Sequence, residues 1–204
     1  MQYKFGEYMK RLLFFLILIF PFTLYGETTM ENFKNSPENR WQFFTDQVMG
    51  GKSYGKLNFV SENNIKFARM AGNVTTENNG GFIQFRAQLS YKLKDESNGI
   101  KLTVRGNNQN YFVHIRTSGS VLPWQYYGKK FLATENWNEV ELKFSDFKKS
   151  SSFMRKNFKP SSVRTIGIVA YGRDHKAQID VSDCLLYTSP CPRDLSTSRM
   201  PSSA

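Results

Sequence analysis

The ten residues Asp46–Gly55 read DQVMGGKSYG, and their centre, Gly-Gly-Lys-Ser, is how a phosphate-binding loop ends. Such a loop wraps phosphates in successive backbone amides and needs a glycine five positions ahead of the glycine of its Gly-Lys-Ser. Here that place is taken by Asp46, whose carboxylate repels a polyphosphate. The flanks disagree as well: WQFFTDQVMGG leads into the alternating run SYGKLNFV, which reads as a strand and not as the helix that a phosphate loop opens. The reading favoured is a tight turn, with ligand contact as its alternative. Gly50, Gly51 and Gly55 permit positive φ or close backbone approach, Ser53 bonds to local backbone, and Asp46 accepts from the loop's amides. Gly80 and Gly81 suit a second turn immediately before the strand FIQFR.

Chemistry that transforms a substrate finds little to work with. Glycoside hydrolysis needs two carboxyl groups across a cleft, and Asp46, Glu62, Glu135, Glu139, Glu141, Asp146 and Asp174 form no recognisable pair. The chain has two histidines, His114 and His175, too few for a histidine-rich metal site, and no nucleophile motif accompanies them. Both cysteines, Cys184 and Cys191, lie near the carboxyl end, so the segment before them holds neither a disulfide nor a thiolate. A GxGxxG fingerprint and a βαβ pattern are both lacking, which argues against a nicotinamide cofactor. No catalytic residue, metal or cofactor is assigned.

Binding chemistry is better represented. Arg86 alternates with Gln84 and Gln88 on the polar side of one strand, and Arg105 lies on the polar side of another. If those strands are neighbours, the two guanidinium groups line a concave patch for a carboxylate or sugar hydroxyls; if not, they are solvated charges with stems lying on apolar neighbours. His114, between Phe112 and Arg116, has the same two readings. Trp124, Tyr126, Tyr127 and Trp137 offer rings that can stack on sugars or cap the open end of a core. Trp124, after Pro123 in a loop, and Tyr127 are taken as ligand candidates, whereas Trp41 and Trp137 read as core.

The elements that must position these groups repeat with a period of two. Ile83, Phe85, Ala87 and Leu89 share one face; Ile100, Leu102 and Val104 do so in the next run. Tyr111, Val113 and Ile115 follow, then Val140, Leu142 and Phe144, Ile166, Ile168 and Ala170, and Ala177, Ile179 and Val181. Each run is one strand long with one apolar face to bury, and the Asn/Gly clusters ENNGG, ESNG and GNNQN separate several of them. Serial half-buried antiparallel strands bury their faces by pairing sheets, so the expected class is all-β, a sandwich. The connections 118–130 and 147–159 are long enough to be functional loops. The chain is basic, with a formal charge of +11, but its cations are scattered between strand positions and are not gathered along one helix. Specific nucleic-acid binding is not expected.

The two ends stand apart. Lys10 and Arg11 precede the apolar run Leu12–Phe20, a basic region and short hydrophobic core of the kind that directs export. Residues 1–26 are expected to be a signal peptide whose natural start is Met9, leaving no stable transmembrane domain after cleavage and an exported protein, periplasmic or extracellular in a bacterium. Residues 27–183 are expected to be the folded domain. From Cys184 the composition turns abruptly to Ser, Pro and Arg, and residues 184–204 resemble a translated sequencing adapter of the kind found in metagenomic gene ends, with the domain's final strand truncated before it.

Together these residues resemble the CIA30 family, the complex I intermediate-associated protein 30 domain of NADH:ubiquinone oxidoreductase. The match opens with Trp41-Gln-Phe-Phe-Thr-Asp46-Gln-Val-Met-Gly50-Gly51-Lys-Ser53-Tyr-Gly55 and continues through Gly80-Gly81-Phe82-Ile-Gln-Phe85-Arg86. It runs on through Arg105-Gly106, Tyr111, Trp124-Gln-Tyr-Tyr127, Phe131, Trp137, Phe144-Ser-Asp-Phe147, Ile166-Gly167-Ile168 and Gln178-Ile179-Asp180-Val181. Where family members commonly carry Gly-Asp-Gly before the central tyrosine, this chain has Gly106-Asn107-Asn108. The resemblance implies a galactose-binding-like jelly-roll β-sandwich and a noncatalytic binding or assembly role, with a protein or a glycan as partner. Members assist complex I assembly, a compartment that an export signal leaves. An exported carbohydrate-active or hydrolytic enzyme is the competing expectation.

Overall fold

The period-two pattern becomes a pair of antiparallel sheets in the computed structural model, which describes residues 26–188. The strands are β1 (Glu27–Glu31), β2 (Trp41–Thr45), β3 (Tyr54–Glu62), β4 (Ile65–Val74), β5 (Phe82–Gln88) and β6 (Gly99–Gly106). They continue with β7 (Gln109–Thr117), β8 (Tyr127–Ala133), β9 (Asn138–Lys143), β10 (Lys148–Lys149), β11 (Val163–Tyr171) and β12 (His175–Tyr187). The first sheet has the order β3-β4-β12-β6-β9, with β1 extending the side of β12. The second has the order β10-β8-β7-β11-β5-β2. Apart from short 3-10 turns, the described residues hold no helix, and none is long and apolar enough to cross a membrane. The fold is the all-β jelly-roll sandwich that the alternation and the family resemblance imply.

The core lies between the sheets. Ile83, Phe85 and Ala87 of β5, Tyr111, Val113 and Ile115 of β7, and Ile166 and Ile168 of β11 point inward from the second sheet. Met70, Ile100, Leu102, Val104 and Ile179 meet them from the first. Apart from Met70, these are the positions that the alternation assigned to the apolar face. Tyr111 is fully buried, yet its hydroxyl is satisfied: it donates to Asn107 Oδ1 (2.7 Å) and accepts from the Gln178 amide (2.8 Å). The asparagine turn between β6 and β7 therefore anchors the central tyrosine without the family's acid. Asn108 takes the left-handed backbone (φ 57°) that this two-residue connection requires.

Two features escape the period-two reading. Strand β12 pairs with both β4 and β6, and its register against β6 shifts between Val181 and Asp183. That irregularity returns Cys184 and Leu186 to the buried side after the run Ile179–Ser182, every residue of which is buried. The strand crosses the boundary expected at Asp183 and runs to Tyr187, where it pairs with β1. Burial, with Glu31 and Asp183 nearby, pushes the Cys184 thiol up to about 12. The expected signal segment up to Tyr25, residues 189–204 of the expected tail, and Cys191 lie outside the described residues.

Candidate functional site

The outward face of the second sheet is built by register. Lys148 of β10 pairs with Gly128 of β8, Gly128 with His114 of β7, His114 with Gly167 of β11, and Gly167 with Arg86 of β5. Directly opposed residues point to the same side of a sheet, so Lys148, His114 and Arg86 form one row with glycines between them. A Cβ at Gly167 would lie 3.2 Å from the Arg86 Cβ and 3.6 Å from Gln84 Oε1; one at Gly128 would lie 3.2 Å from the Tyr126 ring and 3.4 Å from the His114 ring. The glycines thus leave shallow floor between the side chains of the row. Two residues along each strand, Phe112 and Gln84 flank Val169 on the same face.

Aromatic rings crowd one half of this surface. Tyr126 stacks on His114 with ring centroids 3.8 Å apart and planes 17° from parallel. Tyr171 meets the edges of Phe112 and His114, each at 6.0 Å. Burial beneath this cluster pushes His114 down to about 4, so the imidazole is neutral at physiological pH. Burial, with the neighbouring Tyr171 phenol, pushes Tyr126 up to about 12. On the other half, the Arg86 guanidinium lies 4.1 Å over the Phe44 ring of β2. No carboxylate pairs with it among the described residues. Burial and the nearby Arg116 charge lower its proton affinity. Arg116 gives two bonds to the Ser120 and Leu122 carbonyls, while its buried Nε has no partner. The face therefore combines stacking surface with unused hydrogen-bond donors, which is what recognition of a hydroxylated ring demands.

A family model described as Complex I intermediate-associated protein 30 (CIA30) matches residues 31–181. The chain belongs to the CIA30 family. No curated protein matches it by sequence. Among solved structures, the family 11 carbohydrate-binding module of the cellulosomal cellulase Lic26A-Cel5E of Clostridium thermocellum superposes with a TM-score of 0.66 at 13% identity, over 80% of this chain and 95% of that one. A family 11 module from the same organism, in complex with a β-1,3-1,4-mixed-linked tetrasaccharide, gives 0.64 at 13% identity over 79% and 95%. The agarase AgWH50C gives 0.56 at 11% identity, with 81% of this chain covering 25% of that enzyme. At these identities the likeness is one of fold.

In this CIA30 domain the Gly-Gly-Lys-Ser segment does wrap an anion, and the anion is Asp46. Its fully buried carboxylate accepts from the Ser53 hydroxyl and the Gly81 amide (both 2.5 Å), the Ser53 amide (2.9 Å) and the Phe82 amide (3.3 Å). Burial alone would raise its pKa, but these four donors outweigh it and hold Asp46 below the usual carboxylate range. A Cβ at Gly51 or Gly80 would fall within 2.4 Å of that carboxylate, and Gly50 takes φ 86° to close the turn. Gly55 passes so close to the β4 backbone at Ala71 and Gly72 that a side chain has no room. Trp41 is core, and its indole donates to buried Glu31 at 2.9 Å. Lys52 sits outside the turn in an exposed pair with Glu77.

Of the two readings left open for Arg86 and Arg105, the shared patch is the one the fold rules out, because β5 and β6 belong to different sheets. Arg105 instead stands on the outer face of the first sheet, where it and Arg69 grip Asp180 at 2.7 Å, with Glu62 as a further partner of Arg105. Both lie over the Phe67 ring. A cavity of about 260 Å³ opens beside them, lined also by Glu135 and Gln178. Its two arginines are paired with Asp180, whereas Arg86 is left unpaired among the described residues, so the second sheet is the stronger candidate. Tyr127 also departs from expectation: it turns inward against Phe158 and donates to the Arg155 carbonyl. The outward ring is its neighbour Tyr126, which stacks on His114: β8 already begins at Tyr127, inside the connection expected to run to Lys130, and adjacent residues alternate sides. Trp124 is 62% exposed, in the loop leading to Tyr126. The sequence missed Tyr126, Tyr171, Gly128 and Gly167 as one surface. The signal was there in part, since Gly128 and Gly167 interrupt otherwise bulky strands.

Proposed function

We propose that this domain binds a glycan, without transforming it, on the outer face of its second sheet. The observation that carries this reading is the row from Lys148 to Arg86, with glycine floor at Gly128 and Gly167 and the Tyr126–His114 stack beside it. A sugar laid over the glycines meets ring faces on one side and the guanidinium of Arg86 on the other. The fold shared with carbohydrate-binding modules supports the reading, although it does not identify a sugar. Hydrolysis is disfavoured on this face because none of the six strands of the second sheet contains an Asp or Glu, and paired carboxyl groups are what glycoside cleavage requires. Asp46 and Asp180 are committed to the turn and to the two arginines. The export expected from the amino-terminal segment fits a ligand outside the cytoplasm.

The test is a screen of soluble polysaccharides by affinity electrophoresis and calorimetry, with Tyr126→Ala beside the wild type. Retardation of the wild type by one polysaccharide class and its loss in the variant supports the proposal. A wild type that binds none of them, or a variant that binds equally well, overturns it. The family's assembly role suggests a protein ligand as the other reading, for which the same face would serve.

A further inference from the structure

The two sheets divide charge unequally. Strands of the first sheet mix signs, with Asp180 held between Arg69 and Arg105, Lys101 paired with Glu27, and Glu62 on Arg105. Strands of the second sheet carry lysine and arginine but no acid. Register places Arg86 and Lys148 in one row of its outer face. Arg116 and Lys130 stand two residues along from His114 and Gly128 on that same face.

Arg86 is the focus of this surface. It is half-buried on a strand flanked on both sides, it lies over Phe44, and it makes no hydrogen bond or ion pair among the described residues. A partly desolvated guanidinium is costly without a counter-charge, and a planar five-donor group pairs best with a carboxylate or sulfate. Arg69 and Arg105 show how this chain treats such groups elsewhere, with Asp180 as internal counter-ion. Arg86 has the same need, and the sheet supplies no acid for it.

We propose that the ligand of this face is an acidic polysaccharide, whose carboxylate or sulfate group bonds to Arg86 while its ring lies over Gly167 toward the Tyr126–His114 stack. This rests on the glycan-binding reading above and specifies its chemical class. Uronate and sulfate share the chemistry, a compact oxyanion on a sugar ring, so both are tested.

The experiment compares matched pairs that differ only in charge: polygalacturonate against its methyl ester, and a sulfated galactan against the same galactan desulfated. Full-length chain is titrated by calorimetry at fixed ionic strength, with double-stranded DNA as a polyanion of other geometry. One charged polysaccharide should bind at least about tenfold tighter than its neutral counterpart, about 1.4 kcal/mol. Arg86→Gln, checked for an unchanged melting transition, should erase that preference while keeping the weaker binding to the neutral chain. Equal affinity for both members of each pair, with dependence on Tyr126, would overturn the acidic assignment and leave glycan binding standing. No binding to any polysaccharide would overturn both. DNA binding as tight as the best polysaccharide, unaffected by Arg86→Gln, would reduce the face to a general cationic surface and overturn the assignment as well.

Discussion

Arg86 and His114 face each other across Gly167, both paired with it in register, so that one glycine forms the floor between a cation and a neutral imidazole. The space above it exists because a Cβ there would press on the Arg86 Cβ at 3.2 Å. Gly167→Val fills it. Valine suits a strand, so the cost in stability should be modest, about 1–2 kcal/mol from overpacking. Polysaccharide binding should fall at least about tenfold. Urea unfolding and calorimetric titration of the same preparation separate the two effects.

The Tyr126–His114 stack makes a prediction about pH. Burial moves His114 from an ordinary 6.5 to about 4. Between those values the unfolded chain takes up a proton that the folded domain refuses, so stability should fall as pH is lowered through this window. His175 is lowered by burial too and adds to the same slope. Scanning calorimetry from pH 7 to 4 should show a declining melting temperature, and His114→Gln should make the decline shallower without abolishing it.

Asp180 offers a contrast between folding and binding. It is almost fully buried and holds two arginines on the sheet opposite the proposed site. Asp180→Ala takes the buried counter-ion from both guanidinium groups, leaving Arg105 only the exposed Glu62, and should cost about 3–5 kcal/mol. Arg105→Ala removes one partner that is itself one-quarter exposed. It should cost less and leave polysaccharide affinity unchanged, because its sheet does not form the binding face. A titration in which Arg105→Ala loses affinity as Arg86→Gln does would move the site to the first sheet.

The strand faces were legible because alternation is local: each residue's side follows from its neighbours two places away. Ile83, Phe85 and Ala87 needed no knowledge of their partners to be read as core. Pairing between strands is not local, so the sequence could not say that Arg86 meets His114 through Gly167, or that Arg105 belongs to another sheet. Tyr127 illustrates how sharp the difference is. One residue in the placement of the β8 start exchanges an outward ring for an inward one, and the loop before it gives no local signal to fix that start. The Asp46 turn was legible for another reason: an acid where a phosphate loop needs glycine, with clustered glycines after it and a strand instead of a helix beyond, already pointed to a tight turn whose amides bond to Asp46.

That turn makes the final prediction, about what the Gly-Gly-Lys-Ser segment is for. Asp46 ties the β2–β3 turn to the start of β5 through Ser53, Gly81 and Phe82. Removing the carboxylate leaves buried amides without an acceptor, so Asp46→Ala should cost about 3–5 kcal/mol. A domain with a total stability of about 5–15 kcal/mol would then sit near the edge of folding at 37 °C. Because the folded carboxyl is held below its ordinary value, its contribution is fully present above the unfolded-state pKa. It is lost as pH falls through the lower, folded value. Acid unfolding of the wild type should therefore steepen below pH 4, beyond the window in which His114 acts, and Asp46→Asn should remove that lower part of the curve. Lys52→Ala, which breaks only an exposed pair, should shift neither curve by more than about 0.5 kcal/mol. If Lys52 proves as costly as Asp46, the loop does more than enclose its own carboxylate.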